Sequence, residues 1–448
     1  MKPTQKSITQ GIWPLAWPII LSNLSIPLLG IVDTAVLGHL PDPQYLAAVA
    51  AGSVTLSLLL WSFGFLRMGT TSLVARALGA GEDTLGIWLR GVALALVLAT
   101  GLLISQFVLI PLAIGWIAPE EPLASLAASY CHIRLLSAPA TLINYTLIGW
   151  FVGQQDARRP LIIVISTNIL NIILDLALIL GLGLNSDGAA WASVIAEYTG
   201  LTLGLFLLLH KLKRLPEQRS LRQHWQSLTH WAEYLPLLQV NRHLFVRTLC
   251  LLSVFAFFTA QGARLGTQVM AANAILLQFL TLTAYTLDGF AHAAEALCGK
   301  AAGAGNRREL WRVFLGSSLL ASVTALSMSL LLWLGEPWWL QWFTSLPAVL
   351  AEAQQHFGWI IALPLLAVAA YQFDGIYLGS GHTRTMQNAM IGSLLLVFFP
   401  LWWLTQPLGN TGLWLAFSVF HCSRGLVLGI IFYKRWRSNR WLYSTKGS

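Results

Sequence analysis

Twelve stretches of this chain, at about 10–40, 47–77, 86–115, 124–153, 160–184, 188–210, 235–262, 269–298, 310–335, 351–379, 386–406 and 411–434, are long and apolar, with few charges. A helix rises about 1.5 Å per residue, so about 20 apolar residues cross the hydrocarbon core of a bilayer. Lipid offers the backbone no hydrogen bonds, and a helix satisfies its own. The expected fold is therefore all-α, a polytopic membrane protein with twelve transmembrane helices. Composition agrees: 56% of residues are hydrophobic and 10% charged, where a soluble domain carries about 25% charged residues. Trp338, Trp339 and Trp342 stand beside a short loop, where indole rings favour the membrane interface.

The loops between these stretches alternate in charge. Cations fill Arg76 to Arg90, Arg158–Arg159, Lys211 to Arg222, Lys300 to Arg312, Arg384 and the tail Lys434 to Lys446. The intervening loops Pro41–Tyr45, Ala118–Ala124, Asn185–Gly188, Glu336–Leu350 and Gln406–Gly412 have no Lys or Arg, and Ala260–Thr267 has only Arg264. By the positive-inside rule both termini are expected to be cytoplasmic, as an even helix count requires. The net charge of +9 thus concerns orientation, and no nucleic-acid partner is expected. Lys2 and Lys6 precede an apolar run too long for a signal peptide and without a small-residue cleavage site, so it reads as a retained first helix. Cys131, Cys250, Cys298 and Cys422 have no paired spacing, so neither a disulfide nor a metal site is expected.

An internal repeat organises the chain. SFGFLRMGTTSLVARALGAG at 62–81 aligns without gaps with TLDGFAHAAEALCGKAAGAG at 286–305, at a constant offset of 224 residues. Gly188 falls on Gly412 at the same offset. The reading is a six-helix bundle over 1–210, a cytoplasmic linker over 211–234 with an amphipathic stretch at Leu221 to Leu228, and a second six-helix bundle with a short basic tail over 235–448. Six is even, so the bundles share one orientation, as rocking-type alternating access requires.

Asp33 lies late in the first apolar stretch, within GIVDTAVLGHL. Asp at the centre of a membrane helix costs roughly 2.5–3.5 kcal/mol on insertion scales, so such an acid faces protein, water or a partner and marks a functional site. The fifth stretch carries Asn168, Asn171 and Asp175 at i, i+3 and i+7, on one helical face. Asp175 is about ten residues before the loop at Asn185 and Asp33 about eight before Pro41, at similar depth in the outer half. The sixth stretch adds Ser193 and, about a turn below, Glu197. Asp33, Asn171, Asp175, Ser193 and Glu197 are expected to line one chamber of the first bundle. Two carboxylates there disfavour simultaneous ionisation, which makes a proton site. The same oxygens could instead coordinate sodium. Pro18 removes a backbone bond inside the first helix, with Pro14 and Pro27 as further breaks, so that the helix carrying Asp33 can bend.

The second half has Asp288, Glu295 and Asp374 in its inner half, expected to pair with Arg67, Lys300, Tyr371 or Tyr377 at a polar cytoplasmic mouth. Arg134 is either a counter-charge to the outer acids or a side chain that snorkels outward. His39, His292 and His421 are isolated in sequence, without a metal-like spacing, and read as helix-packing or interfacial residues. No GxxxxGK[ST], GxSxG or HExxH occurs, so no cofactor and no enzyme chemistry is implied, and transport energy is expected to come from an ion gradient.

VDTAVLGHL at 32–40, VARALGAG at 74–81, NILNIILD at 168–175, GARLG at 262–266 and LDGFAHAAEA at 287–296 together resemble the MATE (multidrug and toxic compound extrusion) family, in its DinF-like branch, over nearly the whole chain. The resemblance implies a monomeric plasma-membrane protein, in a bacterial inner membrane, that exports lipophilic organic cations in exchange for protons or, in some relatives, sodium. It implies a first-bundle acidic site at Asp33, Asn171 and Asp175, with Ser193 where relatives can carry Thr, and a bend at Pro18. The NorM-like branch uses second-bundle acids instead; Asp374 lies on the corresponding helix, but 235–262 contains no Asp or Glu. A flippase of a lipid-linked precursor is the other transport reading. It should line its cavity with cations, and the deep charges are expected to be mostly acids.

Overall fold

The protein is described by a computed structural model covering residues 9, 11–38, 40, 42–117, 120–213, 228, 230–439 and 441–442. Among these, regular structure is entirely helical: α1 (Trp13–Gly38), α2 (Pro43–Trp61), α3 (Phe65–Ala80), α4 (Leu85–Ile117), α5 (Leu123–Leu135), α6 (Ala138–Gly153), α7 (Arg158–Asp175), α8 (Asn185–Leu212), α9 (Leu235–Arg264), α10 (Thr267–Gly303), α11 (Arg307–Trp339), α12 (Pro347–Gly379), α13 (Thr383–Gly392), α14 (Phe399–Thr405) and α15 (Asn410–Arg437). Eleven of the helical runs are long and apolar enough to cross a membrane, and the bent pair α5–α6 makes a twelfth. The amphipathic stretch expected at Leu221 to Leu228 lies outside the described residues except at Leu228, as do His39 and the tail beyond Leu442.

Two expected helices are more articulated than a plain apolar run suggests. The stretch 124–153 is bent by 49° between α5 and α6. Pro139 has no N–H to donate back one turn, and tight turns replace the helical ladder there, with Leu136 N bonding Ile133 O and Ser137 N bonding Arg134 O. The run from α2 to α3 is broken by one 3-10 turn at Ser62–Gly64. The repeat is visible in the element bounds: α10 begins at Thr267, 224 residues after the start of α2 at Pro43. A π-helical segment precedes the last long helix of each half, at Leu176–Gly181 and Ser393–Phe398.

The chain forms two compact units. One comprises Leu21–Val74 and Asp83–Leu238 and holds most of α1 to α8. Its packed centre includes Val74, Trp88, Leu147, Trp150, Phe151 and Ile163. Lipid is as apolar as leucine, so close packing rather than water exclusion joins membrane helices. Gly52 of α2 shows this, since a Cβ there would stand 2.5 Å from Tyr130 Cδ1 of α5. On α4 of this unit, Ile104, Phe107 and Val108 share one face and are 70%, 72% and 71% exposed, a lipid-facing stripe.

The other unit comprises Met1–Ile20, Ala75–Glu82 and Gln239–Ser448. Its core is aromatic, with Phe258, Phe279, Phe357, Phe398, Trp414, Phe417 and Phe420 buried together. Here α12 lies against α10 so closely that a Cβ on Gly375 would stand 2.1 Å from the Ala291 carbonyl oxygen.

Candidate functional site

Within the unit that holds α2 to α8, polar side chains from α1, α5, α6, α7 and α8 meet. Asp175 is the last residue of α7, where the helix passes into the π turn Leu176–Gly181. Wide turns of this kind are frequent at functional sites. Asp175 is 1% exposed and Asn171, one turn earlier, 2% exposed. With the Asn171 amide turned to satisfy its neighbours, its nitrogen donates to Asp175 Oδ2 at 2.9 Å and its oxygen accepts from the Ser193 hydroxyl and backbone N–H of α8, both at 3.1 Å. The Asp33 carboxyl of α1 lies beside the Asp175 carboxyl, and the two interact strongly. A hydrogen bond between two carboxyl groups requires that one of them carry a proton. The remaining oxygens, Asp33 Oδ1 and Asp175 Oδ1, are buried with no hydrogen-bond partner. An unsatisfied buried carboxylate oxygen is costly, and a proton or a cation would satisfy it.

The structure thus brings Asp33, Asn171, Asp175 and Ser193 together. Asn168, on the same face of α7, instead ties that helix to α1, its Nδ2 donating to Ser25 Oγ at 2.8 Å. Glu197 faces Arg134: its Oε1 lies 3.8 Å from Arg134 Nη2, and its Oε2 accepts from Asn144 Nδ2 of α6 at 3.3 Å. Arg134 also donates to the Ser137 hydroxyl, and its charge reaches Asp33 and Tyr130. Tyr130 OH is 3.2 Å from Ser53 Oγ of α2. Pro18 lies in α1, which is one continuous helix in which the unit boundary falls just beyond it, between Ile20 and Leu21.

In the second set of acids, Asp374 has partners other than those expected. Asp374 of α12 pairs with neither Lys nor Tyr: its Oδ2 accepts from Arg247 Nη2 of α9 at 2.5 Å and from Arg424 Nη2 of α15 at 2.6 Å. Asp288 of α10 acts electrostatically on both arginines and on Tyr371. Tyr377 donates to the Leu428 carbonyl oxygen instead of an acid. Glu295 Oε2 is 3.1 Å from His292 Nδ1, so His292 is not an isolated packing residue. His421 Nδ1 is 3.5 Å from Arg424 Nη1. Three arginines, Arg134, Arg247 and Arg424, lie among these acids, and Arg424 is 3% exposed. Arg247 and Arg424 were legible by the rule that singled out Asp33: a charge inside an apolar stretch needs a partner.

The helices are numerous and apolar enough for a many-spanning membrane protein, with a carboxyl pair inside one unit, and the comparisons give the class. The MatE family model matches residues 18–177 and 244–404, and the chain belongs to that family. It is 40% identical to the DNA damage-inducible protein F of Escherichia coli strain K12 over 443 residues, covering 98% of this chain and 95% of that protein. It is 26% identical to a probable multidrug resistance protein NorM of Rhizobium meliloti, with 94% of this chain and 92% of that one covered. Its fold is shared by a solved MOP superfamily transporter from Pyrococcus furiosus, at a TM-score of 0.85 and 20% identity, over 99% of this chain and 98% of that one. The protein is thus a multi-pass membrane transporter of the MATE type.

Proposed function

We propose that this protein exports lipophilic organic cations in exchange for protons at the Asp33–Asp175 pair. The observation that carries the reading is the juxtaposition of the Asp33 and Asp175 carboxyl groups, each with one buried oxygen, Oδ1, that has no hydrogen-bond partner. From its doubly protonated form the pair discharges one proton to one side and there accepts a positive charge in its place. Protonation from the other side then displaces the cation, and alternating access links the two events. Asn171 and Ser193 orient Asp175, and Arg134 with Glu197 completes the chamber. Abundant apolar and aromatic residues with few fixed charges suit large desolvated cations, which sit well on aromatic faces.

The exchange takes place in a bacterial inner membrane with both termini cytoplasmic, and the halves 1–210 and 235–448, joined by 211–234, act as the alternating bundles. Pro18 leaves a gap in the α1 hydrogen-bond ladder close to where the units divide, which supports a bend there.

The test is efflux of an ethidium-type cation from proteoliposomes under an imposed pH gradient, with translocation of a labelled lipid measured in parallel. Asp33→Asn is isosteric and cheaper to bury, so it should insert and melt as the wild type does, yet lose efflux. Full efflux by Asp33→Asn would remove the acid from the cycle. Strict dependence on added sodium would assign the same residues to sodium exchange, and lipid translocation without cation efflux would favour a flippase.

A further inference from the structure

We infer that Arg134 is a resident counter-cation that makes the carboxyl pair select protons over sodium. The inference rests on the exchange proposed for Asp33 and Asp175 and adds what decides the coupling ion. Among the described residues, the charged and titratable groups facing this chamber are Asp33 of α1, Asp175 of α7, Glu197 of α8, and Tyr130 and Arg134 of α5. Cys131, beside Tyr130, is a buried thiol near the Gly52 carbonyl oxygen. His132 and Asp187 are engaged elsewhere, with Gln106 and Ser129. Three carboxyl groups thus face one guanidinium. With one proton shared between the aspartates, a single net negative charge remains, which one further proton or one organic monocation neutralises.

The guanidinium is held loosely towards Glu197, at 3.8 Å, beyond hydrogen-bond length, and Ser137 fixes its other nitrogen. Its charge therefore remains available to Asp33. A bare sodium ion would enter a space where Arg134 already supplies positive charge, and would meet like-charge repulsion without the apolar contacts that compensate a lipophilic cation. A proton avoids that penalty by forming an O–H bond on a carboxylate oxygen and joining the carboxyl–carboxyl hydrogen bond. Removing the guanidinium leaves the singly protonated chamber one charge more negative, and sodium can fill the deficit.

Calorimetric titration of purified protein with sodium chloride, at constant ionic strength, tests this. Wild type and Arg134→Lys should show no saturable sodium binding, whereas Arg134→Gln should bind sodium at least about tenfold more tightly, since one nearby charge shifts such equilibria by a factor of about ten or more. Adding Asp33→Asn to Arg134→Gln should abolish that binding. Glu197→Gln, which frees the guanidinium to act on the aspartates alone, should weaken binding of tetraphenylphosphonium by about tenfold with unchanged melting, and this holds the inference to account should Arg134→Gln fail to fold. Equal sodium binding by wild type and a folded Arg134→Gln, no binding by either, or an unchanged tetraphenylphosphonium affinity in Glu197→Gln would overturn the role of Arg134. Loss of efflux in Asp33→Asn with a sodium-blind Arg134→Gln would sink this inference alone. Full efflux in Asp33→Asn would sink the exchange reading beneath it.

Discussion

Ser193 reaches the acidic pair only through Asn171, which makes it a positioning residue with a graded effect. Ser193→Thr keeps the hydroxyl and should retain efflux. Ser193→Ala loses a hydrogen bond of about 1 kcal/mol and should lower efflux roughly fivefold, measured as initial rates under one pH gradient. Asn171→Leu leaves Asp175 Oδ2 without its donor and should be more severe. Asp374 presents the opposite case, a residue whose removal acts on stability. Asp374→Asn would leave Arg247 and Arg424 buried against a neutral group, and removing one partner of a buried ion pair costs about 3–5 kcal/mol. Thermal melting in detergent should show a large loss for Asp374→Asn. A wild-type melting curve would mean that the two guanidiniums find other partners.

At the scale of elements, helix contacts set by small residues give a second kind of expectation. Gly375→Ala places a methyl 2.1 Å from the Ala291 carbonyl oxygen, so α12 and α10 must separate. Overpacking of this sort costs about 1–3 kcal/mol, visible as a lowered melting temperature, while Gly358→Ala, in open space on the same helix, should be silent. The elements were largely legible in sequence, because the length of an apolar run and the charge of its flanking loops follow from the bilayer itself. The bend between α5 and α6 was not, since Ser137, Ala138 and Pro139 interrupt hydrogen bonding without interrupting hydrophobicity. The meeting of Asp33, Asn171, Asp175 and Ser193 was legible from helical spacing and depth. The attachment of Asn168 to Ser25 and of Glu197 to Arg134 depends on helix rotation, which depth arguments leave undetermined.

At the scale of the whole molecule, acidification acts on more than the transport site. His382, between α12 and α13 and outside the membrane-spanning segments, faces the Trp441 carbonyl oxygen through Nε2 at 2.9 Å and Arg435 Nη1 through Nδ1 at 3.3 Å. Burial pushes its imidazole down to about 4. The unfolded chain therefore binds more protons between the ordinary value near 6.5 and about 4, so stability falls as pH drops through that window, by on the order of 2–3 kcal/mol at its acid end. His382→Gln should flatten the melting temperature over that range, and unchanged acid sensitivity would place its origin elsewhere. Binding and proton release at the carboxyl pair can be separated from this effect by working above pH 7, where His382 is neutral in both states. The most direct measurement of the central claim is proton release on adding tetraphenylphosphonium to purified protein in weakly buffered, sodium-free solution. Exchange at the Asp33–Asp175 pair requires release of about one proton per cation bound, with none from Asp33→Asn, because linkage couples the two ligands reciprocally. Saturable binding to the wild type without proton release would contradict it.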